Sequence, residues 1–301
     1  MPFFRSGRTL YNRDMDAMST LRHLPYRGRL APSPTGLLHA GHACTFWKAY
    51  QRALEHRGTL IFRNEDLDPQ RSKPAFATAM MEDLSWLGIR WREGPDVGGP
   101  FAPYEQSRRR DLYLAAWRKL RDGEFVYPCT CSRKDLALSA AAPNEDDDEP
   151  LYPGRCRQKT DDAARYDKPE GVNWRFRVTD GETVVFDDLH RGPQRFVAGS
   201  DFGDFVVWRR DDVPAYQLAV VADDAAMEIT EVVRGADLLK STARQLLLIR
   251  ALGLPVPAYY HCDLIRDEAG VRLAKRHDAL SLRALRQRGY PPQHVLEMCP
   301  D

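Results

Sequence analysis

The sequence predicts an α/β protein: a doubly wound parallel sheet that carries an inserted β-rich subdomain. Three observations lead there. Apolar runs of strand character alternate with amphipathic helical stretches along most of the chain. Short alternating apolar and polar runs between residues 172 and 209 interrupt that rhythm and read as antiparallel strands. Near the start, a turn stiffened by Pro32, Pro34 and Gly36 leads into a helix.

Taken in order, Ala43 to Leu54 reads as a helix and Gly58 to Asn64 as a buried parallel strand. Glu65-Asp66-Leu67-Asp68-Pro69 is then a turn at the strand's carboxyl end, where ligands gather in open α/β sheets. Residues 73–87 are helical, with Met80, Met81, Leu84 and Leu87 as the inward stripe. Arg108 to Arg121 is a second helix with Leu112, Ala115, Ala116 and Leu120 inward. Residues 137–150, rich in Ala and Asp, read as a solvated, disordered loop. The runs 172–178 and 183–186 form the antiparallel element. Asp204 to Trp208 and Gln217 to Val221 return to buried-strand character, Leu238 to Leu252 is a strong amphipathic helix, and Leu280 to Arg288 a short last one. No internal repeat is visible.

A chain of 301 residues has room for one large domain or two moderate ones. Its net charge of +1 excludes a global basic field for nucleic acid. An RNA partner would need local patches, and Arg108-Arg109-Arg110 is more simply a solvated helix face. No apolar run reaches the ~18 residues of a membrane helix. Residues 1–28 lack an apolar stretch of the secretion type and read as a flexible extension or a mis-assigned start. The six cysteines are unevenly spread, which suits a reducing cytoplasm and favours metal over disulfide for the clustered ones.

His39 and His42 stand three apart at a helix start, on one face. The unpaired N–H groups and partial positive charge there attract phosphate, and Gly41 removes a side chain where a nucleotide comes close. The plainer alternative is a Pro-rich loop leading into a core helix, with the histidines satisfied locally. Cys129, Cys131 and Cys156 offer three thiolates to a tetrahedral zinc ion. The nearest histidine is His190, so Tyr152 or a water would complete the shell. Three unrelated thiols remain the alternative.

The run Arg29-Leu30-Ala31-Pro32-Ser33-Pro34-Thr35-Gly36 followed by His39-Ala40-Gly41-His42 resembles the opening of the glutamyl/glutaminyl branch of class I aminoacyl-tRNA synthetases. The resemblance covers roughly residues 27–290 and implies a Rossmann-like, ATP-binding domain that makes aminoacyl-adenylates. Its halves would span 29–125 and 201–270 around an acceptor-side subdomain at 126–200, with a Lys-loop and short helix over 271–301. The family's residues carry over as follows. Arg29, Leu30, Ala31, Pro32 and Ser33 would line the glutamate site, Glu65 would hold the amine, and Tyr216 and Arg234 would complete it. Arginine suits this task because its planar fork binds carboxylate at two points. His39, Gly41, His42, Arg272 and Lys275 would bind ATP, with His39, His42 and Lys275 as the catalytic set. The Lys-x-Ser-Lys loop appears here as Arg272-Leu273-Ala274-Lys275, keeping charge at its first place and losing a hydroxyl. The family's zinc knuckle, Cys-x-Cys…Tyr…Cys, falls on Cys129, Cys131, Tyr152 and Cys156, implying one structural Zn²⁺. Mg²⁺ would ride on the ATP.

Only residues 278–301 follow the Lys-loop, where longer relatives carry an anticodon-binding region. The chain therefore resembles the short paralogues of the branch, although truncation of a longer gene would look the same. The short enzymes activate L-glutamate with ATP, without tRNA, and attach it to the queuosine at the wobble position of tRNA(Asp). A monomer working in the cytoplasm, away from membranes, is expected. The rivals are a synthetase charging the tRNA 3′ end and a zinc-bearing RNA-binding module without catalysis.

Overall fold

The computed structural model describes residues 24–131, 151–158, 160–265 and 281–299. Strands β1 (Arg27–Leu30) and β2 (Thr59–Phe62) pair in parallel, from Arg27 opposite Thr59 to Leu30 opposite Phe62. Helix α1 (Ala40–Glu55) connects them and buries Ala40, Ala43, Cys44, Ala49 and Ala53, small side chains that let it sit close to the sheet. Helix α2 (Pro74–Trp86) opens on Pro74, in the first turn where a missing N–H leaves no bond unmade. Helix α3 (Arg110–Asp122) turns Tyr113, Trp117 and Leu120 inward.

Strands β3 (Val126–Cys129), β4 (Asn173–Phe176) and β7 (Phe205–Trp208) form an antiparallel sheet in the order β3-β4-β7. The hairpin of β5 (Thr183–Asp188) and β6 (Gly192–Val197) joins β8 (Glu231–Gly235) and β9 (Ala258–Cys262) in the order β6-β5-β9-β8. Here β5 and β8 both run parallel to β9. Thr230 N–H donates to Arg27 O at 2.9 Å, which sets β1 beside the start of β8. Helices α4 (Tyr216–Ala226), α5 (Leu239–Leu252), α6 (Leu282–Gln287) and α7 (Pro292–Leu296) complete the described α-helices. Gly253 ends α5 with φ of 60°, a left-handed turn that glycine enters without a Cβ clash.

Two large apolar clusters form most of the core, beside a small one of Tyr127, Cys129 and Cys156. One gathers Trp117, Trp174, Trp208 and Phe205 between α3, the antiparallel sheet and α4–α5. Trp117 meets Trp174 edge-on, centroids 4.9 Å apart, a favourable quadrupole arrangement. The other gathers Leu30, Phe62, Leu84, Ile89 and Leu282 under α1 and α2.

Several expectations are corrected. Gln217 to Val221, expected as a strand, is the start of α4. Leu218 to Asp224 are buried without interruption, so no polar face reveals a helical period. The sheet is mixed rather than all parallel, because the β5–β6 hairpin extends it where Asp188 pairs with Tyr259. Strand β1 begins at Arg27, inside the stretch 1–28 expected to be an extension, of which residues 1–23 lie outside the described residues. Arg109 is not solvated: its side chain is 8% exposed and bonds Asp223 at 2.7 Å. Cys44 and Cys299, 255 residues apart, form a disulfide, against the reading of a chain of reduced thiols. The acidic stretch 137–150 up to Pro150, and Arg272, Ala274 and Lys275, lie outside the described residues.

Candidate active site

The start of α1 is capped by its own histidines. His39 Nδ1 accepts the Gly41 N–H at 3.1 Å, and His39 N–H points to His42 Nδ1 at 3.4 Å. The two ring centroids are 3.8 Å apart, with the planes tilted by 31°. With Nδ1 accepting in each ring, a neutral imidazole carries its proton on Nε2, so both present an N–H donor. Burial lowers the His39 pKa. Crowding by the surrounding protein, then the neighbouring His39, brings His42 down to about 4. Both rings are therefore neutral near pH 7. A Cβ at Gly41 would stand 3.1 Å from the His39 ring, so the glycine makes room for that ring to fold back over the helix start. Its expected service to a nucleotide is thus first a service to His39.

A cavity of about 560 Å³ runs from this helix start to the carboxyl ends of β1 and β8. Arg29, Ala31, Pro32, Ser33, His39, Gly41, His42, Glu65, Tyr216 and Arg234 all line it. Leu30 does not: its side chain is fully buried in the core. Thr45, Phe46, Asp237 and Leu238 belong to the same wall and were not foreseen.

Arg234 is 4% exposed. Its Nε donates to His261 Nε2 at 3.2 Å and its Nη2 to Thr242 Oγ1 at 2.7 Å, while Nη1 is buried without a partner among the described residues. An unpaired guanidinium N–H costs free energy that an incoming carboxylate recovers. Arg29 donates to Val233 O at 3.1 Å and stands 3.5 Å from Asp224. Glu65 is buried and paired with Arg63, Nη2 to Oε1, at 3.0 Å. Burial outweighs Arg63 and raises the Glu65 pKa. A second cation beside Glu65, such as a substrate ammonium, would favour its charged form.

Sequence reasoning missed the arginine beneath this site. Arg63 is wholly buried and holds Asp224 at 2.6 Å as well as Glu65. Burial would raise Asp224, but Arg63 and Arg29 hold it below the usual carboxylate range. The signal was present: Arg63 opens the Arg-x-Glu-Asp turn, and Asp223-Asp224 is an acidic pair in an apolar run. A second cavity, about 880 Å³, shares Ser33, Thr35, Glu65 and Tyr216 with the first and carries Arg71, Arg175, Arg209 and Arg210 on its walls.

Cys129, Cys131 and Cys156 bring their sulfurs within 4.8 Å of one another. Cys131 Sγ is 3.7 Å from Cys156 Sγ, and Tyr152 Oη lies 3.4 Å from Cys129 Sγ and 3.6 Å from Cys131 Sγ. Arg175 donates Nε to Cys129 Sγ at 3.4 Å and lies 4.0 Å over the Tyr152 ring. Structure thus joins four residues separated in sequence by up to 27 positions from Cys129 to Cys156.

The fold and site define a class. Residues 26–300 match tRNA synthetases class I (E and Q), catalytic domain, and the chain belongs to that family. It is 49% identical over 272 residues to the Glutamyl-Q tRNA(Asp) synthetase of Symbiobacterium thermophilum, covering 89% of this chain and 84% of that protein. The Glutamyl-Q tRNA(Asp) synthetase of Nitratidesulfovibrio vulgaris is 48% identical over 271 residues, covering 89% and 83%. The crystal structure of a glutamate tRNA ligase from Elizabethkingia meningosepticum, in complex with its amino acid, superposes with a TM-score of 0.72 at 29% identity. That match covers 89% of this chain, which spans about half (54%) of the longer protein. No helix among the described residues is long and apolar enough to cross a membrane.

Proposed function

We propose that the chain activates L-glutamate with ATP, without tRNA, and then transfers the glutamyl group to the queuosine at the wobble position of tRNA(Asp). The observation that carries the chemistry is the two-ended cavity. One end has neutral imidazoles over a helix N-terminus, and the other has Arg29, Arg234 and Glu65. The choice of RNA rests on the 49% and 48% identity to the two Glutamyl-Q tRNA(Asp) synthetases.

In the first step a carboxylate oxygen of glutamate attacks the α-phosphorus of ATP. The bond to the bridging oxygen breaks and pyrophosphate leaves. No protein nucleophile takes part, so the protein's share is positioning and charge stabilisation. Arg234, with Nη1 unpaired, and Arg29 receive the carboxylates, while Glu65 receives the ammonium and Tyr216 closes the wall. Ser33, Ala31 and Pro32 border the substrate through the turn. His39 and His42 donate Nε2–H to the phosphates, and Gly41 permits that geometry. Arg272 and Lys275 are assigned to the phosphates from the sequence motif. Mg²⁺ travels with ATP and offsets its charge. In the second step a queuosine hydroxyl attacks the glutamyl carbonyl carbon, AMP leaves, and the hydroxyl proton departs with it.

We assign a structural Zn²⁺ to Cys129, Cys131, Tyr152 and Cys156. Ligands at ~2.3 Å around a tetrahedral ion stand about 3.8 Å apart, and the sulfur and phenol spacings of 3.4, 3.6 and 3.7 Å match. The ion would pin β3 to the loop before β4. A cytoplasmic monomer is the setting in which ATP and tRNA meet this site.

The test is glutamate-dependent exchange of pyrophosphate into ATP without RNA, followed by mapping of labelled glutamate on tRNA. Exchange without RNA and label in the anticodon support the proposal. A strict tRNA requirement, or label at the 3′ end, replaces it with tRNA charging. Absence of exchange leaves the binding-module reading.

A further inference from the structure

We infer that Asp188 and His261 form a buried lock that orients the Arg234 fork toward the substrate carboxylate. The inference rests on the reading of Arg234 as a glutamate ligand and deepens it.

Asp188 ends β5 and His261 lies in β9, 73 residues further on. His261 is fully buried and Asp188 is 3% exposed. His261 Nδ1 stands 2.6 Å from Asp188 Oδ2. A carboxylate that close fixes the ring proton on Nδ1. Asp188 is itself held by backbone N–H groups of His190 at 3.1 Å, Arg191 at 2.9 Å and His261 at 3.1 Å. Burial keeps the imidazole pKa below its ordinary value, so the ring is neutral and its Nε2 is an acceptor, with Thr242 Oγ1 also 3.0 Å from it.

Arg234 Nε points at that acceptor, 3.2 Å away, and Nη2 is taken by Thr242 Oγ1 at 2.7 Å. Two donors of the fork are occupied by neutral groups, and Nη1 is left over in a side chain that lines the cavity. The plane of the guanidinium is thereby set before substrate arrives. The choice of partner matters. A carboxylate in direct contact would hold Arg234 equally well but neutralise it. An imidazole orients it and leaves its charge to the ligand, while the Asp188 charge stays one ring removed.

His261→Asn keeps an N–H for Asp188 and offers nothing where Nε2 stood. It should raise the KM for glutamate in pyrophosphate exchange by roughly 10- to 100-fold, the loss expected for one hydrogen bond to a charged group. The KM for ATP and the fold, checked by circular dichroism, should not change. His261→Gln reaches the Nε2 position with an acceptor oxygen and should recover most of the loss. Asp188→Asn hands an N–H to Nδ1, drives the ring proton to Nε2 and sets donor against donor, so its KM for glutamate should rise like that of His261→Asn. Wild-type glutamate KM in His261→Asn overturns the inference, as does a joint rise of both KM values with a lower melting temperature. Arg234→Gln separates the two levels. If it leaves the glutamate KM unchanged, the glutamate-site reading itself fails. If it raises the KM while His261→Asn does not, only the lock fails.

Discussion

Replacing Arg63 by methionine removes the nearest buried cation that Glu65 and Asp224 share and leaves them only the more distant Arg29. The guanidinium is fully buried, 2.6 Å from Asp224, 3.0 Å from Glu65 and 3.9 Å from Asp223. Methionine roughly fills the space, so the cost is that of stranded carboxylates, about 3–5 kcal/mol when one partner of a buried pair is lost. For 301 residues, an unfolding entropy of ~2.1 cal/mol/K per residue gives ~0.6 kcal/mol/K, and the melting temperature should fall by about 5–8 °C. The deficit has a pH signature. In the native protein Asp224 is held low, so its contribution is present above the unfolded carboxylate value of ~3.9 and is lost as pH falls through the depressed one. In the variant burial is opposed mainly by Arg29, so both carboxylates rise and take up protons on milder acidification. The gap between the two proteins should therefore narrow between about pH 7 and pH 5. Thermal melts at both pH values read this directly. A drop under about 1 °C at neutrality, or a gap that widens in acid, refutes the reasoning.

Other outcomes follow from the same geometry. The His42 ring, lowered to about 4, should show an NMR titration well below that of a free imidazole at ~6.5. Because folding lowers this pKa, the unfolded chain takes the proton first, and stability should decline as pH falls below ~6.5 and level off near 4. A titration at the free value would show that the helix start does not constrain the His42 ring. Denatured without reductant and freed of metal, the protein should react at four of its six cysteines, Cys129, Cys131, Cys156 and Cys262. Six reactive thiols would remove the Cys44–Cys299 bond. Intact protein should carry about one zinc by elemental analysis, the full-shell stoichiometry, and Cys156→Ser should lose it.

The parts of the site that lie in one stretch of chain were readable from the amino acids. The resemblance picked out Arg29 to His42, Glu65, Val233 to Leu238 and the Cys129-Thr130-Cys131 bite because each is a run of neighbours in sequence, which helix or turn geometry keeps together. The helix α4 misled because burial on every side erases the period that distinguishes helix from strand. Arg109 misled because a charge run is judged by its average, while one member found Asp223.

Tertiary structure alone decided what stands behind those stretches. Asp224 reaches Arg63 across 161 residues, His261 reaches Asp188 across 73, and Cys44 reaches Cys299 across 255. Sequence spacing sets no preference among such distant partners, since loop-closure cost grows slowly with length. Burial does the selecting, because a charge or polar atom deprived of water must find its complement in whatever element packs against it.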